Sequence, residues 1–370
     1  MSKTLQDYAT LINDTIQSNE INHYITTDNM CQNLGGIDTF KNINIPQGKV
    51  RSFQKDDVLL SNIRLYFRKV YRAKQKGGCS SDVLVFRAKH IDSATLFAIL
   101  SSQIFTDYAC SGSQGSKMPR GNKTHMMDFK IPTINFTIAK IFNSIQNKIE
   151  NNHKINELLH KILELLYEQY FVRFDFLDEN NKPYQTSGGK MKFSKELNRL
   201  IPNDFEVKTL GELTQLKVGN KNTNHSSNQG KYPFFTCSNN PLKCETYQFE
   251  GKHIIISGNG NFHVTHYDGK FDAYQRTYVV NPNNPNHYVL IYLFVKSYTN
   301  YLKLQSRGSI IKFITKSDIE NIKIVLPNLK TYTKWNNVLK MIENNNQSTQ
   351  TLTAIRDFLL PLLLKQVKPQ

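Results

Sequence analysis

The stretch RSFQKDDVLLSNIRLYFRKVYRAKQKGG (51–78) carries Arg64, Arg68, Lys69, Arg72, Lys74 and Lys76 with no acidic residue among them. Tyr66, Phe67 and Tyr71 interleave with these cations. If the run is a strand, alternation puts the cations on one face, where they could follow a phosphate backbone. The plainer alternative is an exposed basic strand of a hairpin. The loop SGSQGSKMPRGNKTH (111–125) adds Lys117, Arg120 and Lys123 on a glycine-rich backbone. A second kind of chemistry sits in SGNGNFHVTH (257–266), after the apolar run Ile254-Ile255-Ile256. Its glycines and asparagines suit positive φ and allow close approach of the backbone to a ligand. Asn259, Asn261, His263 and His266 offer directional polar groups able to read base edges. A conventional turn between two strands remains the alternative for each of them.

Catalytic arrangements do not form. Glu250-Gly251-Lys252 is at most half of a nuclease carboxylate–lysine motif, with no acidic pair to complete it. NPNNPNHY (281–288) lacks the Asn-Pro-Pro-Tyr of an amino-methyltransferase, and His263-x-x-His266 lacks a companion at metal-ligand spacing. Gly188-Gly189-Lys190 is not a phosphate loop, because the Walker A pattern needs Gly where Tyr184 stands and Ser or Thr where Met191 stands. No catalytic, cofactor or metal residue is therefore assigned.

Composition points the same way. A chain of 370 residues with a net charge of +17 is drawn to a polyanion, although a lysine- and asparagine-rich genome would also raise the count. The five cysteines form no Cys-x-x-Cys pair, which fits a reducing cytoplasm and argues against a zinc ribbon or disulfide framework. The N-terminal MSKTLQDYATLIND has no apolar signal-peptide core, and FLLPLLL (358–364) is too short to span a bilayer. A soluble, cytoplasmic protein without membrane contact is expected.

The elements that must position these residues come in two copies. MMDFKIPTINFTIAKIFNSIQNKIENN (126–152) parallels KSDIENIKIVLPNLKTYTKWNNVLKMIENN (316–345): a short strand, a proline, then a helix with Ile-Glu-Asn-Asn. FTDYACSGSQGS (105–116) parallels YTNYLKLQSRGS (298–309), with Tyr108 opposite Tyr301 and Gly112-Ser113 opposite Gly308-Ser309. LELLYEQYF (163–171) lies opposite RDFLLPLLL (356–364), and all these matches fall roughly 193 to 196 residues apart. Ile138, Phe142, Ile145, Ile149, Asn152, Asn156, Leu159, Leu163, Leu166 and Tyr170 alternate steps of four and three, a coiled-coil seam. Trp335, Leu339, Ile342, Asn346, Thr349, Leu352, Ile355 and Leu359 give a second seam. Asn152 and Asn346 make each seam polar at mid-length, where paired amides would fix the register of an antiparallel pair. Between the copies, RFDFLDENNKPYQTSGGKM (173–191) has the turn-forming Asp175, Asp178 and Asn180, the helix-stopping Pro183, and Gly188-Gly189 for a tight reversal. It reads as a linker.

With the repeat in view, the chain resembles the specificity (S) subunits of type I restriction–modification systems. The resemblance rests on IPNDFEVKTLGELTQLKVGN, on KYPFFTCSN…HIIISGNG…GKFDAYQRTYVV, on QSRGSIIKFITKSDIENIKIVLP and on the central RFDFLDENNKPYQTSGGKM. It implies an α+β fold: two pseudo-symmetric globular α/β target-recognition domains separated by two long antiparallel coiled-coil helices. The expected boundaries are 1–137 and 203–333 for the recognition domains, 138–172 and 334–370 for the spacer helices, and 173–202 for the linker. It further implies a non-catalytic subunit that binds a bipartite, asymmetric double-stranded DNA target, one half-site per domain. Arg307, in the basic QSRGS stretch, is a further DNA-binding candidate. Two methyltransferase subunits would carry S-adenosylmethionine and methylate adenine, and restriction subunits would carry ATP and Mg. A helix over 138–171 is about 50 Å long at 1.5 Å per residue, or roughly 15 base pairs of duplex. The competing expectation is a stand-alone nuclease or a fused restriction–methylation enzyme with an unrecognised active site.

Overall fold

The computed structural model describes residues 3–39, 41, 43–327 and 333–365. The chain forms two compact units, Met1–Ile155 with Asn344–Gln370, and Asn156–Glu343.

In the first unit the apolar runs VLLS and VLVFRA become the inner strands Val58–Ser61 and Val83–Ala88, and all four residues of the former are buried. Ala9–Ile12 and Val70–Arg72 flank them, so the antiparallel order is 9–12, 83–88, 58–61, 70–72. Helix Ser93–Leu100 (SATLFAIL) is apolar all round and buried from Thr95 onward, and the Asp92 side chain caps it by accepting from the Thr95 amide. Its Leu96, Phe97 and Leu100 join Phe86, Phe105 and Phe142 in one core. A second four-stranded sheet, with Lys49–Phe53 and Gly77–Cys79 at its centre, packs a smaller core around Phe53, Leu59 and Val85.

The second unit repeats this plan. Its antiparallel strands run in the order 214–218, 277–282, 249–257, 264–273, and the sheet then extends through Tyr232–Phe235 and Leu242–Cys244. Helix Tyr288–Ser297 takes the place of the earlier core helix and is buried from Tyr288 through Leu293. Shorter pieces recur as well. Leu5–Tyr8 and Leu210–Leu213 both open at a threonine whose amide donates to a carboxylate three residues on. Lys123–Met127 and Lys316–Glu320 lie at matching positions, capped by Asn122 and Thr315.

The long helices are Phe136–Tyr167, extended by a π-helical turn over Glu168–Val172, and Thr333–Leu359, followed by a 3-10 turn containing Pro361. In the first unit Asn152 donates to Thr349 Oγ1 at 3.1 Å and Arg356 donates to Gln146 Oε1 at 3.2 Å, so the facing segments run antiparallel. In the second unit Asn156 donates to the Ile342 carbonyl at 3.3 Å. The seam of the first helix is buried at Phe142, Ile149, Asn152, Asn156 and Leu163, while Ile145, Leu166 and Tyr170 are half-buried beside the buried Gln146, Tyr167 and Phe171. That of the second departs after Ile342: Asn346 is exposed, Ile355 is 43% exposed, and the neighbouring Arg356 is only 3% exposed. A straight α-helix advances 3.6 residues per turn, so a stripe drawn at 3.5 drifts off the buried face. Asn152 therefore meets a threonine hydroxyl, not the expected Asn346 amide.

The stretch 173–202, expected as a linker, is folded into the second unit. Asp175 accepts from the Thr186 amide and hydroxyl at 2.8 and 2.7 Å, and Gly188 makes its reversal at φ +85°. Phe176 stacks on Tyr184 and Phe205, and Phe174, Ile201 and Phe205 are buried in the core with Phe171 and Trp335. The aromatic spacing that looked polar in sequence is what anchors it.

Candidate nucleic-acid interface

Each unit builds one clasp from two segments about 50 residues apart. In the first unit the link between strands 58–61 and 70–72 meets the loop 114–121. Arg64 N donates to Pro119 O at 2.9 Å, Gly121 N to Asn62 O at 3.1 Å, and Asn62 N to Asp82 O at 2.8 Å. Ser61 N donates to Lys69 O at 3.0 Å, and the Ser61 hydroxyl to Ile63 O at 3.1 Å. In the second unit the link 258–263 meets the loop 307–314. Gly260 N donates to Lys312 O at 2.9 Å, Ile314 N to Gly258 O at 3.0 Å, and Gly258 N to Arg276 O at 2.7 Å. Ser257 N donates to His263 O at 2.9 Å, and its hydroxyl to Asn259 O at 2.9 Å. The two sets correspond bond for bond. Each loop is also closed on itself by paired backbone bonds, Gln114 with Arg120 and Arg307 with Phe313.

This correspondence corrects one alignment. Gly115 (φ +96°) and Gly308 (φ +98°) share the left-handed turn position of the two loops, so Gly308-Ser309 is matched by Gly115-Ser116 and not by Gly112-Ser113. The clasp also brings together cations that lie apart in sequence. Arg64 Nη2 donates to the Lys117 carbonyl at 3.3 Å, and Lys117, Arg120 and Lys123 are exposed around it. Arg120 is paired with Asp82 at 2.9 Å, yet its side chain stays 61% exposed.

The expected cationic strand face does not form. Arg64 and Arg68 flank a 3-10 turn, Leu65–Phe67, both in left-handed conformation (φ +50° and +48°). Arg68 turns inward: Nη2 donates to the carbonyl of fully buried Ser101 at 2.8 Å, and burial lowers the proton affinity of its guanidinium. Its counterpart two residues before the next strand is Phe262 (φ +50°), a fully buried core residue. Lys69 donates to the Thr27 carbonyl at 2.5 Å and burial depresses its pKa, while Arg72 lies 3.6 Å from Asp56.

The four polar groups of the second link separate in the same way. Asn261 is exposed; Asn259 and His263 are half-buried, and burial lowers the His263 pKa. His266 belongs to strand Val264–Ala273 and faces Tyr292 edge-on at 4.9 Å; burial outweighs the Glu343 carboxylate 3.6 Å away and drops its pKa to about 3. It lines the interior and not the loop. Arg307 is exposed on the clasp, paired with Asp318 at 2.9 Å. Sequence reading passed over Arg276 and Lys312, both exposed and both supplying carbonyls to the second clasp. Sliding the repeat offset over the links would have found them, since Ser61 then falls on Ser257.

The suspected nuclease half-motif is taken apart by its own ion pairs: Lys252 lies 2.8 Å from Glu343, and Glu250 lies 3.8 Å from Lys270. NPNNPNHY is a short turn, Pro285–His287, that opens helix Tyr288–Ser297. His225, Cys244 and Asp272 bring ligand atoms within 4.8 Å of one another. Their near contacts are a closed hydrogen-bond ring, in which Asp272 Oδ2 meets His225 Nε2 at 3.1 Å and the Thr246 hydroxyl at 3.0 Å. Among the described residues no helix is long and apolar enough to cross a membrane.

Comparison with known proteins agrees with this architecture. Residues 202–355 match the family model of the type I restriction modification DNA specificity domain. The chain is 33% identical over 164 residues to the type I restriction enzyme EcoDI specificity subunit of Escherichia coli; the match covers 42% of this chain and 36% of that relative. It is 24% identical over 301 residues to the MjaIX specificity subunit of Methanocaldococcus jannaschii, covering 73% of this chain and 67% of the relative. The fold as a whole is similar to the crystal structure of the type I restriction–modification system S subunit from M. genitalium, with a TM-score of 0.63 at 16% identity over 100% of this chain and 96% of that one. Residues 202–355 thus match the type I restriction modification DNA specificity domain, and the chain over its whole length shares the fold of a type I restriction–modification S subunit.

Proposed function

We propose that the chain reads a bipartite, asymmetric duplex-DNA target, one half-site through each unit, and confers that specificity on partner subunits while catalysing nothing itself. The duplicated clasp carries this reading. Two backbone frameworks hold the same hydrogen bonds but present different side chains, as two half-sites of different sequence require. Half-buried Arg64 and exposed Lys117, Arg120 and Lys123 supply cations for phosphates in the first unit, and exposed Arg276, Arg307 and Lys312 in the second. Asn261 is the best-placed reader of a base edge. Two methyltransferase subunits with S-adenosylmethionine would methylate adenine, restriction subunits would use ATP and Mg, and the complex would act in the cytoplasm. The test is reconstitution. The chain alone should neither methylate nor cleave DNA; with its methyltransferase partner it should direct adenine methylation to a motif of two defined halves around an unspecified gap. Replacing residues 258–263 should alter one half only. Catalysis by the isolated chain, a continuous motif, or a change in both halves would overturn the proposal.

A further inference from the structure

The loop of the second clasp ends in two exposed isoleucines, Ile310 (93% exposed) and Ile311 (62%), followed by exposed Lys312 and preceded by exposed Arg307. A soluble surface rarely holds two adjacent β-branched apolar side chains in water on a turn this well fixed. The turn is not slack: Arg307 and Phe313 exchange both backbone bonds, at 2.9 and 2.8 Å, and Gly260 and Ile314 tie it to the neighbouring link. The corresponding positions of the first clasp are Lys117 and Met118, the latter 56% exposed. One framework thus presents a cation and a thioether in the first unit, and two branched hydrocarbons in the second.

We propose that Ile310 and Ile311 read thymine in the second half-site by packing on its C5-methyl group in the major groove, with Arg307 and Lys312 holding the flanking phosphates. This rests on the DNA-reading function proposed above and names the bases that this loop selects. Chemistry narrows the choice. Major-groove edges of guanine, cytosine and adenine present donors and acceptors, and only thymine presents a methyl group. The two isoleucine side chains have no polar atom and can favour only that edge. The flanking cations favour nucleic acid over a protein partner as the occupant.

The experiment replaces each thymine of the methylated motif by deoxyuridine, which removes only the methyl group. Binding of the complex with its methyltransferase partner is then measured for the wild type and for the Ile310→Ala/Ile311→Ala variant. The wild type should lose about fourfold in affinity at one or two positions of the second half-site, the worth of one buried methyl. The variant should bind those thymine and deoxyuridine duplexes alike, and the first half-site should be indifferent to the change. Unchanged melting and methyltransferase co-purification will show that the variant is intact. The proposal is overturned if no deoxyuridine substitution weakens the wild type, if the variant keeps the same sensitivity, or if the variant loses its protein partner while still discriminating thymine. If instead the wild type does not distinguish cognate from scrambled duplex at all, the DNA-reading function itself is at fault.

Discussion

Arg64 and Arg68 are four residues apart and look interchangeable in sequence, yet their surroundings predict opposite consequences for removal. Arg64 is half-buried on the clasp, with a long 3.3 Å bond to the Lys117 carbonyl and its guanidinium 6.0 Å from the Phe67 ring centre. Arg68 gives a 2.8 Å bond to Ser101 in a buried setting. If Arg64 neutralises one phosphate, Arg64→Ala lowers the slope of log K against log salt by about 0.9. Between 50 and 200 mM salt that slope corresponds to roughly a 3.5-fold difference in affinity loss, equal on cognate and scrambled DNA. Stability should hold within about 0.5 kcal/mol, as for surface changes generally. Arg68→Ala removes a charge-assisted bond of about 1.5–3 kcal/mol. At about 2–4 °C per kcal/mol for a unit of this size, melting should fall by roughly 3–12 °C with the salt slope unchanged. Alanine keeps the left-handed backbone cost at this position, so the difference isolates the side chain. The assays are thermal melting and fluorescence anisotropy on both duplexes across the salt range. If Arg68→Ala melts like the wild type and loses one unit of salt slope, the inward guanidinium is wrong and the sequence-level grouping of the two arginines is right.

Asn152→Leu should hold or slightly raise the melting temperature, because Asn152 Oδ1 is buried without a hydrogen bond and leucine removes that cost along with the single bond to Thr349. Asn346→Leu, at an exposed position, should be neutral, and a large drop for either variant on melting would contradict the observed seam. His266, buried and held neutral with a pKa of about 3, is protonated more readily in the unfolded chain, whose histidine pKa is near 6.5. Stability is therefore complete above pH 6.5 and is lost as pH falls through the window toward 3, by about 1.4 kcal/mol per pH unit. Melting profiles from pH 7 to 5 should fall about 2 kcal/mol less for His266→Gln than for the wild type, and parallel profiles would refute the buried assignment.

Much of the architecture was legible because repeats and seams are periodic. The offset near 193 to 196 marked two copies, and Phe142, Ile149, Asn152, Asn156 and Leu163 of the first helical seam are buried as their spacing requires. What sequence could not give was pairing across distance. Nothing local says that Arg64 will bond to Pro119, and an alternating reading of the basic run depended on a strand that a 3-10 turn replaces. The inward turn of Arg68 needs a carbonyl 33 residues away. The second seam failed for a different reason: Ile355 and Arg356 are adjacent, and hydrophobicity favours the wrong one. The buried guanidinium is retained because Gln146 and Asp357 satisfy it, and only the partner helix supplies Gln146.

The duplicated clasp also bears on which side chains can carry specificity. Backbone-to-backbone bonds do not depend on residue identity, so a framework built from them persists while its side chains change. The one side-chain bond common to both clasps is the serine hydroxyl of Ser61 and Ser257, and serine stands at both places. Where the equivalent side chains face inward, their chemistry follows the local core: Arg68 reaches a buried carbonyl where Phe262 fills apolar space. Such differences answer to packing and say nothing about DNA. Where equivalent positions face outward, no packing constraint selects Lys117-Met118 in one copy and Ile310-Ile311 in the other. Differences at rigidly held, exposed positions need an external cause, and a half-site of different sequence for each unit is a sufficient one. By the same reasoning Asn261, which is exposed, is a stronger candidate for base reading than Asn259, which lies beside it in the same link but is drawn into the clasp through its bridge to Phe313.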